Sequence, residues 1–347
     1  MRLINKYKTL DIIDGTLKKV SASFTYNINQ KEIFLKKNCP VCEEKKYKKI
    51  SCIFVKKKKI NETVICIKCY NIYRKSSPKN RWFELCWKKI EEKNPKEISL
   101  SLEKLRKKRY LNYYSYIKKY LEKKPCKILD IGSAFGTGID VFRKKGFETH
   151  CLEPEINRFK VLKKKKFVAF NSTIEKFKTH NKYDLIIMSH SLEHCEDLNL
   201  AISKARSLLR NGNSILYIEV PNALKSLDFF DNFYLPHRNN FNIENLKYFF
   251  CKKNLSVIKS KNVFFSDEGH SISFVLKKKK IINKLNFKFK NNFFKKYNNL
   301  YNNRKPFTNV KFPVVIEVDH IKNFFYIIRK DQGEFHLKKK KLFFKHY

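Results

Sequence analysis

From residue 127 onward, short apolar runs alternate with stretches of helical periodicity. No other feature of the chain constrains the fold as strongly. The runs are KILDI (127–131), THCLE (149–153), FVAFN (167–171), DLIIMS (184–189) and ILYIEV (215–220). Amphipathic stretches such as LAISKARSLLRNG lie between them. Strand-length runs separated by helix-length segments predict a mostly parallel, doubly wound α/β sheet with helices on both faces. Upstream, Tyr110, Tyr114, Ile117 and Leu121 recur at helical spacing and predict a helix with one packed face. Ligands of such sheets bind beyond the carboxyl ends of the strands, where the strand order reverses.

The first of those ends reads ILDIGSAFGTGID (128–140). Glycine is scarce, at eight in the whole chain, yet Gly132, Gly136 and Gly138 fall together here. A dinucleotide fingerprint needs G-x-G-x-x-G, and Val141 stands where the third glycine belongs. A phosphate-binding P-loop needs a Gly-Lys-Ser/Thr ending, which is missing too. What remains is a glycine turn between two acids, Asp130 at the end of the first run and Glu153 at the end of the second. Glycines there let backbone approach a ligand. Glu153 suits the two hydroxyls of a ribose, and Asp130 suits an ammonium group. A ligand with an amino-acid end and a ribose, but no pyrophosphate, satisfies both.

Ten cysteines and no apolar leader at the amino terminus argue against a disulfide framework and predict a cytoplasmic protein. Four of the ten form a pattern: CPVC at 39–42 and CIKC at 66–69. Two residues between cysteines let both thiolates face one ion. Two such knuckles, Cys39 with Cys42 and Cys66 with Cys69, complete a closed tetrahedral set for a structural zinc. The β-rich runs around KKKKINE predict a hairpin carrying one knuckle at its end.

The formal charge of +45 resembles that of nucleic-acid-binding proteins. Its source is overwhelmingly Lys, accompanied by abundant Asn, Ile, Phe and Tyr, all residues with AT-rich codons. Selection for phosphate or base contacts would also enrich Arg, whose planar fork reads them in pairs. The charge is therefore attributed to composition, and RNA is kept as a secondary partner. No apolar run approaches the ~20 residues of a membrane span.

Taken together, ILDIGSAFGTG, CLEPE, YDLIIMSHSLEHCED and LLRNGNSILYIEVPN resemble the ordered motifs of class I S-adenosylmethionine-dependent methyltransferases. The resemblance covers residues 105–280, about half the chain, and implies a Rossmann-like seven-stranded sheet with S-adenosylmethionine as cofactor. It implies that Gly132, Ser133 and Gly136 border the methionine end and that Glu153 meets the ribose. It further implies that Thr173 and Ile174 lie beside adenine, and that Ser189 and His190 line the pocket floor. Where the family often has glycine, this chain has Ala134. A subgroup carries an amino-terminal four-cysteine zinc ribbon, and some of its members methylate sugar carbons through a Tyr-x-Glu-His element. Here the corresponding Tyr234–His237 reads YLPH, with Pro236 in place of the acid, so O- or N-methylation is favoured over C-methylation.

Methyl transfer to a hydroxyl or amine needs alignment and removal of a proton. His194, in SLEH after the fourth run, and His237, beyond the fifth, are the candidate bases. Glu219 and Asn222 of EVPN are candidates for orienting the acceptor. HSLEH (190–194) also matches an inverted zinc-protease motif, but that motif requires a long helix, and here a strand precedes it. The acceptor is expected to be a small molecule, a sugar or a surface glycan. The alternative is RNA, although neither the Asn/Asp-Pro-Pro-aromatic nor the Pro-Cys element of base methylation is present. The expected segments are 1–37 without a motif, a zinc ribbon at 38–75, a linker at 76–104, the methyltransferase domain at 105–280 and a basic extension at 281–347. Within that extension, FPVVIEV and FFYIIRK read as β-strands.

Overall fold

The structure is a computed structural model. It describes residues 2–3, 30–55, 58–81, 100–121, 126–224, 236–265, 269–279 and 289, and the strands 314–319, 324–329, 333–338 and 341–345. The chain divides into two compact units, one of residues 1–86, 226–240 and 288–347, the other of residues 87–225 and 241–287.

The second unit is the α/β body. Its strands are β1 (Lys127–Ile131), β2 (Glu148–Leu152), β3 (Val168–Phe170), β4 (Leu185–Ser189), β5 (Ile215–Pro221), β6 (Leu255–Phe265) and β7 (Gly269–Lys278). Their spatial order is 3-2-1-4-5-7-6. The first five run parallel, and β7 enters antiparallel between β5 and β6. The order reverses between β1 and β4, which places the ligand crevice at their carboxyl ends. The central strands β1, β4 and β5 are apolar on both faces because helices cover both.

The helices are α1 (Leu100–Ile117), α2 (Asp140–Arg143), α3 (Ile156–Lys164), α4 (Leu198–Leu208) and α5 (Ile243–Lys252). Local chemistry fixes where they start. The Glu155 side chain accepts from two backbone N–H groups of α3, Asp197 caps α4, and Asn242 and Asn245 form a reciprocal capping box on α5. Behind the glycine turn the helix is shorter than expected: α2 has four residues. On α1 the buried face is Tyr110, Tyr113 and Ile117, with Tyr114 only partly buried, so the packed stripe includes a tyrosine outside the i, i+4 reading.

The first unit is a ten-stranded sheet. Its centre is the predicted hairpin, Tyr47–Val55 paired with Lys58–Cys66, with Ile72–Pro78 on the far side. Ile33–Leu35 also pairs with Ile72–Pro78, and further segments complete the sheet. Asn239–Asn240 pairs with Ile72–Pro78, and Val314–Asp319 lies parallel to Tyr47–Val55. Three more strands, Phe324–Arg329, Gly333–Lys338 and Lys341–Lys345, continue outward from Val314–Asp319 as a meander, and Arg2–Leu3 pairs with the last. The compact units therefore cut the chain differently from the expected segments. Residues 76–78 extend a strand and 100–104 begin α1, where a linker was expected. The carboxy-terminal strands join the cysteine hairpin's sheet because its free edge offers unpaired backbone groups. Among the described residues no helix is long and apolar enough to cross a membrane.

Candidate cofactor crevice and thiolate cluster

The turn after β1 is built around Leu152 and Glu153. Gly132 N–H donates to the Leu152 carbonyl at 2.8 Å, and Ala134 N–H donates to Glu153 Oε2 at 2.7 Å. Gly132 has φ +81°, which glycine adopts freely. Ala134, at φ 49°, holds a left-handed conformation that glycine would meet without strain. Glu153 is 3% exposed, with its other oxygen taking the Glu155 N–H at 3.1 Å. Burial raises its pKa. Each oxygen keeps a lone pair, since a carboxylate accepts about four hydrogen bonds.

The other two glycines also face the protein's own side chains. A Cβ on Gly138 would lie 2.4 Å from the Tyr110 ring, and a Cβ on Gly136 would lie 2.7 Å from both Leu162 and Phe167. The chain's own side chains occupy that space, so packing dictates Gly138, and packing together with a left-handed φ of +76° dictates Gly136. Tyr110 also reaches the acid at the end of β1. Its hydroxyl donates to Asp130, 3.0 Å from one carboxylate oxygen and 3.2 Å from the other. Asp130 is 1% exposed, and burial pushes its pKa up to about 7. In this structure it faces a tyrosine of α1.

At the end of β4, Ser189 Oγ lies 2.8 Å from the Tyr113 hydroxyl, which also donates to Glu219 at 2.6 Å. Tyr217 donates to the second oxygen of Glu219 at 3.0 Å. Glu219 is fully buried and faces this network. Asn222 is likewise turned inward, donating to Asn262 at 2.8 Å and accepting from Leu224 N–H at 3.0 Å. His190 has φ 49°, and its backbone N–H donates to the Glu219 carbonyl at 2.8 Å. Its ring stands 3.5 Å from Glu219 and 3.7 Å from Glu193. His194 ends a short 3-10 turn, Leu192–His194, with 38% of its side chain exposed and Glu193 at 4.0 Å. The protease-like reading of HSLEH fails on this turn, which is not a long helix. His237 falls in the other unit, and Tyr234 lies outside the described residues.

Three buried hydroxyl oxygens around these strand ends have no hydrogen-bond partner in the protein. They are Thr137 Oγ1 after β1, Thr173 Oγ1 after β3 and Ser191 Oγ after β4. Ile174 beside Thr173 is 2% exposed. Unmet hydroxyls at the switch of strand order, together with the Glu153 lone pairs, suit a polar nucleoside ligand. Sequence reasoning missed Tyr113 and the hydroxyl role of Tyr110. Their spacing on α1 was the available signal.

In the first unit the four cysteines converge. Cys39 and Cys69 sulfurs are 3.5 Å apart and Cys42 and Cys66 sulfurs 3.4 Å, with all four within 4.8 Å of one another. The two knuckles share one geometry. Glu43 N–H donates to the Cys39 carbonyl at 2.9 Å and Tyr70 N–H to the Cys66 carbonyl at 3.1 Å. Glu43 and Tyr70, each directly after a second cysteine, both have left-handed φ, 66° and 58°. Burial pushes the Cys39 and Cys69 thiols up, while hydrogen bonds from neighbouring thiols hold Cys42 and Cys66 down. Metal–sulfur bonds of ~2.3 Å in a tetrahedron set sulfurs roughly 3.8 Å apart, so the donor set fits a closed structural metal site.

A seven-stranded doubly wound sheet with a glycine turn, a second-strand acid and unmet hydroxyls at the switch point defines a nucleoside-cofactor-binding α/β domain. Residues 97–260 match the family model described as a methyltransferase domain. This part of the chain is a class I S-adenosylmethionine-dependent methyltransferase domain, and the protein is a methyltransferase. Among solved structures, it is similar to the 1,6-didemethyltoxoflavin-N1-methyltransferase of Burkholderia thailandensis, at 13% identity, over 51% of this chain and 79% of that one, with TM-score 0.40. An S-adenosylmethionine-dependent methyltransferase of Methanosarcina mazei gives 13%, 48%, 98% and 0.43 for the same quantities. The N-methyltransferase NodS of Bradyrhizobium japonicum gives 13%, 51%, 97% and 0.40. No curated protein matches the sequence.

Proposed function

We propose that the protein methylates oxygen or nitrogen of a small-molecule, sugar or glycan acceptor, with His194 as base and a structural zinc held by Cys39, Cys42, Cys66 and Cys69. The observation that carries the choice of base is the placement of His194. It follows the switch-point strand β4, is partly open to solvent, and has the buried Glu193 carboxylate behind it. Bound S-adenosylmethionine supplies an electrophilic methyl group on a sulfonium. Glu153 orients the ribose through its spare lone pairs. The unmet hydroxyl of Thr173, with apolar Ile174, flanks adenine. Gly132, Ser133 and Asp130 hold the amino-acid end, with Tyr110 yielding Asp130 to the ammonium. Ser189 and His190, fixed through Tyr113 and Glu219, form the floor beneath the acceptor.

His194 then takes the acceptor's proton as the new bond forms, a role suited to a side chain that titrates near neutrality. His237 is the second candidate base and is tested beside it. Four thiolates leave no open position on the metal, so zinc serves folding and not transfer. The test is calorimetry with S-adenosylmethionine, followed by transfer of labelled methyl into nucleotide-sugar pools and into total RNA. Absence of cofactor binding overturns the activity. Label appearing in RNA and not in small molecules overturns the acceptor class.

A further inference from the structure

Glu153 is not the only side chain that holds the glycine turn. Lys165, the residue directly after α3, donates from Nζ to the Phe135 carbonyl at 3.0 Å. Its own carbonyl accepts from Arg143 Nη1 at 2.9 Å. Arg143 is the last residue of α2, and its Nε donates to Asp140 Oδ1 at 2.9 Å. The same guanidinium lies 3.9 Å from the centre of the Phe167 ring. Asp140 N–H donates in turn to the Gly136 carbonyl at 3.0 Å, which closes a circuit of contacts back onto the glycine turn.

The circuit bears on one peptide plane, that between Phe135 and Gly136. Its N–H belongs to Gly136 and donates to the Ser133 carbonyl at 2.9 Å, while its oxygen is the one that Lys165 holds. Rotating this plane reverses the φ of Gly136, now +76°, and a residue without Cβ accepts either sign. A peptide before a glycine therefore stays in one orientation only if both its ends are bonded. Two peptides back, Ala134 N–H donates to Glu153 at 2.7 Å, so the same short turn carries the acid assigned to the ribose.

Lys165 belongs to the run Lys163–Lys166, part of a charge attributed above to composition. One member of that run has a fixed post. Its bond is open to solvent, and exposed charged contacts add little to folding stability. The gain is in order. An ammonium anchored at the end of a helix holds the carbonyl in one direction, whereas a water molecule follows it in any. A turn that is ordered beforehand does not meet that cost when its ligand arrives. We propose that Lys165, braced by Arg143, is a positioning residue for the cofactor, fixing the Phe135–Gly136 peptide in the orientation that the ligand meets. The inference rests on the reading of this turn as the S-adenosylmethionine site.

The test uses the full chain and three variants. Lys165→Met removes the ammonium and keeps an unbranched stem, Lys165→Arg restores a cation, and Lys164→Met is a control in the same run. In Lys165→Met, hydrogen exchange at the Gly136 amide, followed by NMR, is expected to quicken about three- to tenfold. Affinity for S-adenosylmethionine, measured by calorimetry, is expected to fall about three- to tenfold as well. Tm stays within ~1 °C of the parent, because the lost contact is exposed. Lys165→Arg recovers both readouts, and Lys164→Met changes neither. Unchanged exchange or unchanged affinity in Lys165→Met, equal losses in Lys164→Met, or a Lys165→Arg variant as weak as Lys165→Met overturns the positioning role. A parent protein that binds no S-adenosylmethionine overturns the reading of the site itself, whereas a parent that binds it beside an equally tight Lys165→Met variant overturns only the role of Lys165.

Discussion

Gly138→Ala separates two explanations of the glycine turn. The Cβ would lie 2.4–2.6 Å from three atoms of the Tyr110 ring, where ordinary contact begins near 3.4 Å, so the ring must retreat by roughly an ångström. It cannot retreat freely. Tyr113 is 5.0 Å and Phe142 6.4 Å away, centroid to centroid, and the hydroxyl is held by Asp130. Overpacking of this kind costs ~1–3 kcal/mol. Pulling the hydroxyl from a buried carboxyl adds ~1–3 kcal/mol. The sum, ~2–6 kcal/mol, corresponds to a fall in Tm of roughly 4–24 °C for a unit of this size. Thermal unfolding of the ligand-free protein reads it. Tyr110→Ala clears the space, so adding Gly138→Ala to that variant costs less than ~1 kcal/mol and the cycle shows coupling of ~1–5 kcal/mol. Additive costs, or a ligand-free protein that is unaffected while cofactor affinity collapses, would refute packing as the cause.

Asp130 makes cofactor binding depend on pH. With its pKa near 7, the carboxyl is largely protonated at pH 6, and pairing with an ammonium releases up to one proton, which calorimetry in two buffers measures. Affinity therefore weakens below pH 7. Ligand-free stability moves the other way: the folded state binds this proton more tightly than the unfolded state, so stability falls as pH rises from about 4 through 7. His194→Gln is expected to lower kcat ~10²-fold or more while leaving S-adenosylmethionine affinity intact, separable by single-turnover assay and calorimetry. Metal analysis is expected to find one zinc per chain, reduced in Cys66→Ser, and chelation is expected to lower β-sheet circular dichroism. Tyr113→Phe removes the 2.6 Å donor to Glu219 and is expected to destabilise the protein by ~1–3 kcal/mol in urea titration.

Much of this molecule could be read before folding. The five runs of the α/β body match β1 to β5 to within a residue or so, because apolar runs of that length between helical segments leave few alternatives. The knuckles were legible from C-x2-C spacing alone. What a glycine's missing Cβ makes room for was not, since Tyr110, Leu162 and Phe167 arrive from distant positions. The inward orientation of Glu219 was hidden for the same reason: periodicity marks which face a residue takes, and not whose hydroxyl waits there. Pairing of Val314–Asp319 with Tyr47–Val55 has no local signal at all.

That last pairing bears on how the protein is made. The cysteine hairpin leaves the ribosome early, but the strand that completes its edge is about 260 residues behind. At ~5–20 residues per second, the gap lasts roughly 13–50 s. Throughout that interval a nine-residue strand has one row of backbone groups open to any passing strand. Early capture of metal by the four thiolates would hold the nascent hairpin in register until its own carboxy-terminal partner emerges. Zinc supply during translation, more than zinc in the finished protein, would then set the yield of correctly folded chains.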